Sequence, residues 1–253
     1  MVALTTNKMA AKDGGRNAFV FHLFCLLVNL AGCCYDFFYV ELSSYVIYGG
    51  RLKFLTHWSQ YVHTLFFAFA TAINFNNRYL IPASGLAPDT ASSLGKDAEE
   101  SALVRLRDSV FVAVCFPLGI MVCLLFWGIT LVEPGGIMTS ENARMVPLYG
   151  IYNQYLHTFP LLLDLAALYL VSHIYPRRRK GVLCVVLIAL SYLVWLVHIG
   201  NHTGYWCYGF LQHQTRFEFS VFVLATMLAT TAVYIIGEKI SAFVWRGAFR
   251  KSI

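Results

Sequence analysis

Charge is scarce in this chain. Only 13% of its 253 residues are Asp, Glu, Lys or Arg, about half of the roughly 25% usual in a soluble domain. Hydrophobic residues make up 58%, so an ordinary soluble enzyme is excluded. Cysteine lacks a pattern. There are seven, an odd number, and no CxxC pair, so neither a disulfide framework nor a zinc ribbon is indicated. Cys25, Cys33, Cys34, Cys115, Cys123 and Cys184 fall inside apolar runs and only Cys207 in a loop, the placement of small buried hydrophobes. Nucleic-acid motifs are missing too, and the net charge of +6 bears on membrane orientation instead. The first apolar run is too long for a signal-peptide core and has no small-residue cleavage pattern. It is expected to stay as a membrane span.

What is present is a series of long hydrophobic runs. Six are long enough to cross a hydrocarbon core of about 30 Å, which takes about 20 helical residues. They lie near 18–40, 55–75, 109–131, 151–173, 181–201 and 217–237. Lipid offers no partner for free backbone groups, so each run is expected to be a helix. The expected fold is all-α: a polytopic membrane helical bundle of six transmembrane helices, with residues 1–253 as one domain. Fifteen of the nineteen Lys and Arg residues then fall on one side, which puts both termini in the cytoplasm. Arg51, Lys53, Arg144 and Arg216 fall on the outer side. Residues 81–101, rich in Ala, Ser, Pro, Gly and acids, are expected to form a flexible cytoplasmic loop. The basic run 177–180 is a tight cytoplasmic turn touching headgroups. Composition leaves cell membrane and endoplasmic reticulum both open, and the oligomeric state as well.

Polar residues inside spans are costly and usually face the bundle interior or a cavity. On the second run, Thr56, Ser59 or Gln60, and His63 share one helical face. On the fourth, Asn153, His157 and Asp164 make a similar stripe, as do Asn29, Cys33 and Asp36 on the first. His198 and His202 are one turn apart on the fifth, with Ser191 and Trp195 above them. The orientation places Thr56 in the first turn of its helix and His157 about 9 Å deep. Asp36, His198 and His202 lie in the same outer third. Six of the eight histidines (57, 63, 157, 198, 202 and 213) are on that half. A shared polar cavity is expected there.

Thr56 and His157 suit acyl transfer, because a hydroxyl needs a base to become a nucleophile and imidazole is one near neutral pH. The residues alone leave plainer roles open, and for Thr56 they favour one: a hydroxyl satisfying first-turn backbone donors. For His157 an interhelical hydrogen bond serves equally well. Arg51 and Lys53 read as cations reaching the outer surface, or as holders of a substrate carboxylate beside Thr56. Asp164 or Asp36 could orient His157. Asn153, His63 and Asp36 are further candidates for contacting substrate, with Asn153 or a backbone amide facing an oxyanion. His198 and His202 have metal-ligand spacing, so a zinc hydrolase completed by Asp36 or His157 is one alternative. A lipid-binding receptor, transporter or scaffold is another.

A set of short blocks resembles the androgen-induced protein family. They are Tyr48-Gly49-Gly50 with Lys53-Phe54-Leu55-Thr56; Leu106-Arg107-Asp108 with Phe116-Pro117 and Phe126-Trp127; Asn153-Gln154-Tyr155-Leu156-His157-Thr158; Tyr175-Pro176 with Trp195; and Thr203-Gly204-Tyr205-Trp206. The resemblance implies six spans and hydrolysis of fatty acid esters of hydroxy fatty acids. It implies Thr56 as nucleophile and His157 as its partner, with no metal or other cofactor. A lipid ester would be the substrate and membrane lipids the surroundings. The chain departs from the family pattern at His57, where an apolar aromatic is usual. It departs again at His198-Ile199-Gly200-Asn201-His202, where relatives tend to have adjacent histidines, and in a longer segment at 81–101.

Overall fold

A computed structural model of the chain describes residues 15–76, 102–132 and 140–246. The described residues hold eight α-helices and no strand. They are α1 (Gly15–Tyr39), α2 (Leu55–Phe75), α3 (Ala102–Val132), α4 (Ser140–Met145), α5 (Tyr149–His157), α6 (Phe159–Leu170), α7 (Arg178–Thr203) and α8 (Arg216–Val244). Four of them, α1, α3, α7 and α8, are long and apolar enough to cross a membrane. The window taken on α3 is 72% buried, against 17 to 28% for the other three. So α3 runs through the centre of the bundle, and α1, α7 and α8 turn apolar faces outward.

The other two expected spans differ. The run at 55–75 is a single helix, α2, of 21 residues, but its buried face carries His57, Ser59, Gln60 and His63 and lowers its apolarity. The run expected as one helix over 151–173 is broken at Thr158 and ends at Leu170. Pro160 is the cause: it has no N–H to give the Leu156 carbonyl, and its ring crowds that turn. The indole of Trp127 answers the break, donating to the His157 carbonyl at 3.1 Å and to Thr158 Oγ1 at 3.2 Å. A second departure lies in α3, where residues Phe111–Cys115 form a π turn just ahead of Pro117, for the same backbone reason. The expected loop 81–101 lies outside the described residues. So do Lys8, Lys12, Arg78, Lys96, Arg250 and Lys251, which belong to the charge bias.

Short turns set the entry to α2. Two 3₁₀ turns, Ser43–Val46 and Gly50–Lys53, lead from α1 to it. Gly49 sits between them at φ 88°, and a Cβ there would lie 2.8 Å from Ile199 Cδ1 of α7. The left-handed backbone favours glycine there, and the end of the Ile199 side chain packs close against it. The chain therefore reverses tightly and starts α2 against the end of α7. At the same end of the bundle, where Phe219 packs in one cluster with Phe54 and Leu55, α8 opens with a capping box. Thr215 Oγ1 accepts from the Glu218 N–H, and the Glu218 carboxylate accepts from the Thr215 N–H.

Candidate functional site

Thr56 is the second residue of α2, and the expectation of a capping hydroxyl does not hold. The N-cap position is Phe54, which makes no side-chain cap, and Thr56 Oγ1 bonds to none of the described residues. The Leu55 N–H is met instead by the Tyr208 hydroxyl at 3.0 Å. Thr56 is half-buried and lines a cavity of about 110 Å³ (space open to the centre of a water-sized sphere).

That cavity lies between α2, α3, α7 and α8, and its wall is almost wholly apolar. Along α3 it runs from Ala113 to Ile129, roughly 24 Å at 1.5 Å per residue. Most polar groups on the wall are spoken for. Thr226 and Thr230 hydroxyls donate to backbone carbonyls one turn back, at 2.8 and 2.6 Å. Tyr192 donates to the Lys53 carbonyl at 3.0 Å and pairs with Tyr208 at 3.0 Å.

His157 is the last residue of α5 and lines the same cavity. Its ring stacks on Phe126 with centroids 3.5 Å apart and planes 7° apart. Its Nδ1 is buried without a partner. No hydrogen bond joins His157 to Thr56 among the described residues. Both residues line one cavity from different helices, and each has a polar side-chain atom with no partner among the described residues.

The break at Thr158 corrects the expected stripe on the fourth run. Asp164 belongs to α6, not to the helix of His157, and it meets His63 of α2 instead, Nε2 to Oδ1 at 3.1 Å. Gly119 makes the pairing possible, because a Cβ on α3 at that point would run into Asp164 Oδ2. Ser59 Oγ lies 3.2 Å from His63 Nδ1, so Ser59, His63 and Asp164 stand in Ser–His–Asp order. They do not form a nucleophilic triad. His63 Nδ1 lies 2.7 Å from the Ser59 carbonyl, which can only accept. Nδ1 therefore carries a proton and has no lone pair for the serine.

Asp36 and Arg51 are also tied elsewhere. Asp36 is buried and accepts from Arg51 Nε at 2.6 Å and from the Tyr152 hydroxyl at 2.5 Å, with His57 Nε2 at 3.3 Å. Arg51 Nη2 reaches the carbonyls of Asp36 and Val40, each at 2.8 Å. Lys53 is 0% exposed, and its ammonium donates to the Ser44 carbonyl and lies 5.1 Å from the Tyr205 ring centre. Burial holds that ammonium below the usual lysine range. Asn153 is half-buried. None of Asp36, Arg51, Lys53 and Asn153 lines the cavity.

The expected convergence of four helices on one polar chamber is thus only partly met. His198 and His202 are exposed, stacked on each other with centroids 5.7 Å apart, and covered by Tyr48 at 5.0 Å from His202. Asp36, the carboxylate proposed to complete a zinc site, is engaged by Arg51, Tyr152 and His57, and His157 lines a cavity that neither His198 nor His202 borders. Among the described residues, no group of three His, Cys, Asp or Glu side chains is placed to hold a metal. Cys207 is no rival nucleophile, since burial pushes its thiol up to about 12.

Reasoning from sequence named Phe126 only as part of a family block and did not single out Tyr208. It gave neither a role, because the contacts that matter come from residues 31 and about 150 positions away.

The sequence profile described as FAR-17a/AIG1-like protein matches residues 17–242. The chain belongs to this family. Among curated relatives, it is similar to human androgen-induced gene 1 protein, with 26% identity over 81% of this chain and 82% of that protein. It is also similar to human androgen-dependent TFPI-regulating protein, with 25% identity over 60% of this chain and 64% of that one. The hamster form of the latter is 24% identical over 78% of both chains. No solved structure matches the chain. Membership covers α1 to α8, so the helical membrane architecture and the cavity both fall within the family's extent.

Proposed function

We propose that this FAR-17a/AIG1-like protein is a membrane-embedded carboxylic ester hydrolase that cleaves fatty acid esters of hydroxy fatty acids. The observation that carries the proposal is the cavity: a long apolar hollow lined by Thr56, whose hydroxyl bonds to none of the described residues, and by His157, whose Nδ1 has no partner. The fatty acyl chain lies along α3, and its ester carbonyl stands at Thr56. His157 takes the hydroxyl proton as Thr56 Oγ1 attacks the carbonyl carbon. The alcohol leaves with that proton, and water then clears the acyl-threonine. Catalytic hydrogen bonds are often long in a ligand-free site and tighten on substrate, so the two groups need not touch beforehand. A helix N-terminus carries unpaired backbone donors, and Phe54 provides no side-chain cap. Leu55 N–H is held by Tyr208, and the His57 and Trp58 amides by the Phe54 carbonyl, which leaves the Thr56 N–H as the first-turn donor to the oxyanion. The narrower substrate assignment rests on the family resemblance of the sequence blocks. Six crossings with both termini in the cytoplasm, and the cavity in the outer half, complete the proposal.

The test is to purify the full chain in detergent and supply a branched ester of a hydroxy fatty acid. Wild type should release the fatty acid and the hydroxy acid in equal amounts. Thr56→Ala and His157→Ala should each release neither, with normal expression and membrane insertion. Turnover surviving either change would remove the mechanism.

A further inference from the structure

Thr56 stands on two walls at once. Beside it lies a second, much smaller hollow of about 10 Å³, bordered by the polar residues Thr56, Asn29, Ser59, Gln60, His63 and Tyr155 and by apolar side chains that include Leu163. Gln60 is 5% exposed, and its Nε2 donates to the Tyr155 hydroxyl at 3.4 Å. Its Oε1 is buried with no partner. A buried amide oxygen without a donor is costly, and Gln60 shares the border of this hollow with the hydroxyl-bearing Thr56, Ser59 and Tyr155. The size is selective. One buried water needs about 10–15 Å³ by this measure and two to four polar partners. The hollow is a tenth of the size of its apolar neighbour, so no alkyl chain fits.

We propose that this hollow is a binding site for a single water, which donates to Gln60 Oε1 beside Thr56 and is the water that hydrolyses the acyl-threonine. The inference rests on Thr56 being the nucleophile. Once an acyl chain fills the apolar cavity, that side is closed to solvent, and the smaller hollow is the remaining supply. The water oxygen bonds to the acyl carbonyl carbon, and the bond from that carbon to Thr56 Oγ1 breaks. One water proton passes by way of His157 to Oγ1, and the fatty acid departs. Gln60 does not touch the reacting carbonyl. It is a positioning residue that holds the water's oxygen and lone pairs toward the ester.

The test separates acylation from deacylation. The full chain in detergent is mixed with a long-chain 4-nitrophenyl ester, quenched with acid, and examined by intact-mass and peptide mass spectrometry. Gln60→Met keeps the volume and removes the acceptor. It should leave the initial release of nitrophenolate within about twofold, slow the steady state by about tenfold or more, and raise the acyl adduct at Thr56 in proportion. Leu163→Phe narrows the hollow from its apolar lining while leaving Gln60 unchanged and should give the same split, so it carries the test if the first variant does not fold. Equal adduct and equal steady-state rates in variants and wild type would overturn the water site. So would initial release and steady state falling together. Consumption of the ester with no adduct at Thr56 in any of the proteins would overturn the threonine nucleophile itself.

Discussion

Asp36 and Thr56 lie near the same end of the bundle, one at the end of α1 and the other at the start of α2. Around Asp36 each carboxylate oxygen has a partner, from Arg51, His57 or Tyr152. The same closure recurs at the other end, where Asp108 accepts from Arg107 at 2.8 Å and from the Ile174 N–H at 3.0 Å. Around Thr56 the opposite holds. Among the described residues its hydroxyl, the Nδ1 of His157 and the Oε1 of Gln60 have no partner, and all three residues border a cavity; His57 Nδ1, beside Asp36, is also without one but borders neither cavity. Buried polar groups that satisfy one another hold helices together. Those that face a cavity unsatisfied are available to a ligand. The comparison separates structural from chemical polarity in one membrane layer, where sequence position alone treats them alike.

Substitutions should break the two regions in different ways. The largest effect is at the cavity. Thr56→Ala should lower ester turnover by about 10²–10⁴-fold while leaving the unfolding temperature in detergent unchanged. Asp36→Asn should do the reverse. Removing one partner of a buried pair typically costs about 3–5 kcal/mol, and because the Arg51 side chain is 23% exposed the lower end, about 3 kcal/mol, is expected. Thermal unfolding should show it, with little change in KM for the molecules that remain folded. A raised KM at unchanged stability would instead place Asp36 and Arg51 on the substrate.

Between these lies Phe126→Leu. It removes a ring stacked on His157, an interaction worth about 0.5–1.5 kcal/mol, so kcat should fall about three- to tenfold with KM nearly unchanged. The smallest effect is at the exposed imidazole pair. His198→Ala and His202→Ala should change turnover by less than about twofold, as surface substitutions usually do, and a chelator should have no effect. Loss of activity on chelation would revive the zinc alternative.

Much of this organisation is legible in the sequence, and the exceptions have physical reasons. Runs of apolar residues mark the long helices because lipid forbids other backbone solutions. Thr56, His57, Ser59, Gln60 and His63 could be placed on a buried helix from spacing alone. What spacing could not show is which of them already has a partner. His63 meets Asp164 across 101 residues of chain, and that contact exists only because Pro160 breaks the helix and Gly119 yields space. A helical wheel drawn through His157 and Asp164 assumes an unbroken helix and so puts both on one face. Likewise His198 and His202 have ligand spacing, but a metal also needs a third donor aimed at the same point. Their neighbours are Trp195 and Tyr48 rings. The cavity itself is a property of four helices together and leaves no trace in any one of them.

The central claim is that Thr56 is the hydroxyl activated by His157. Treating the full chain with a hydroxyl-directed fluorophosphonate and mapping the adduct by peptide mass spectrometry tests it most directly. The account predicts label on Thr56, lost in Thr56→Ala and strongly reduced in His157→Ala. Label on Ser59 or another hydroxyl, or full labelling of Thr56 when His157 is gone, would contradict it.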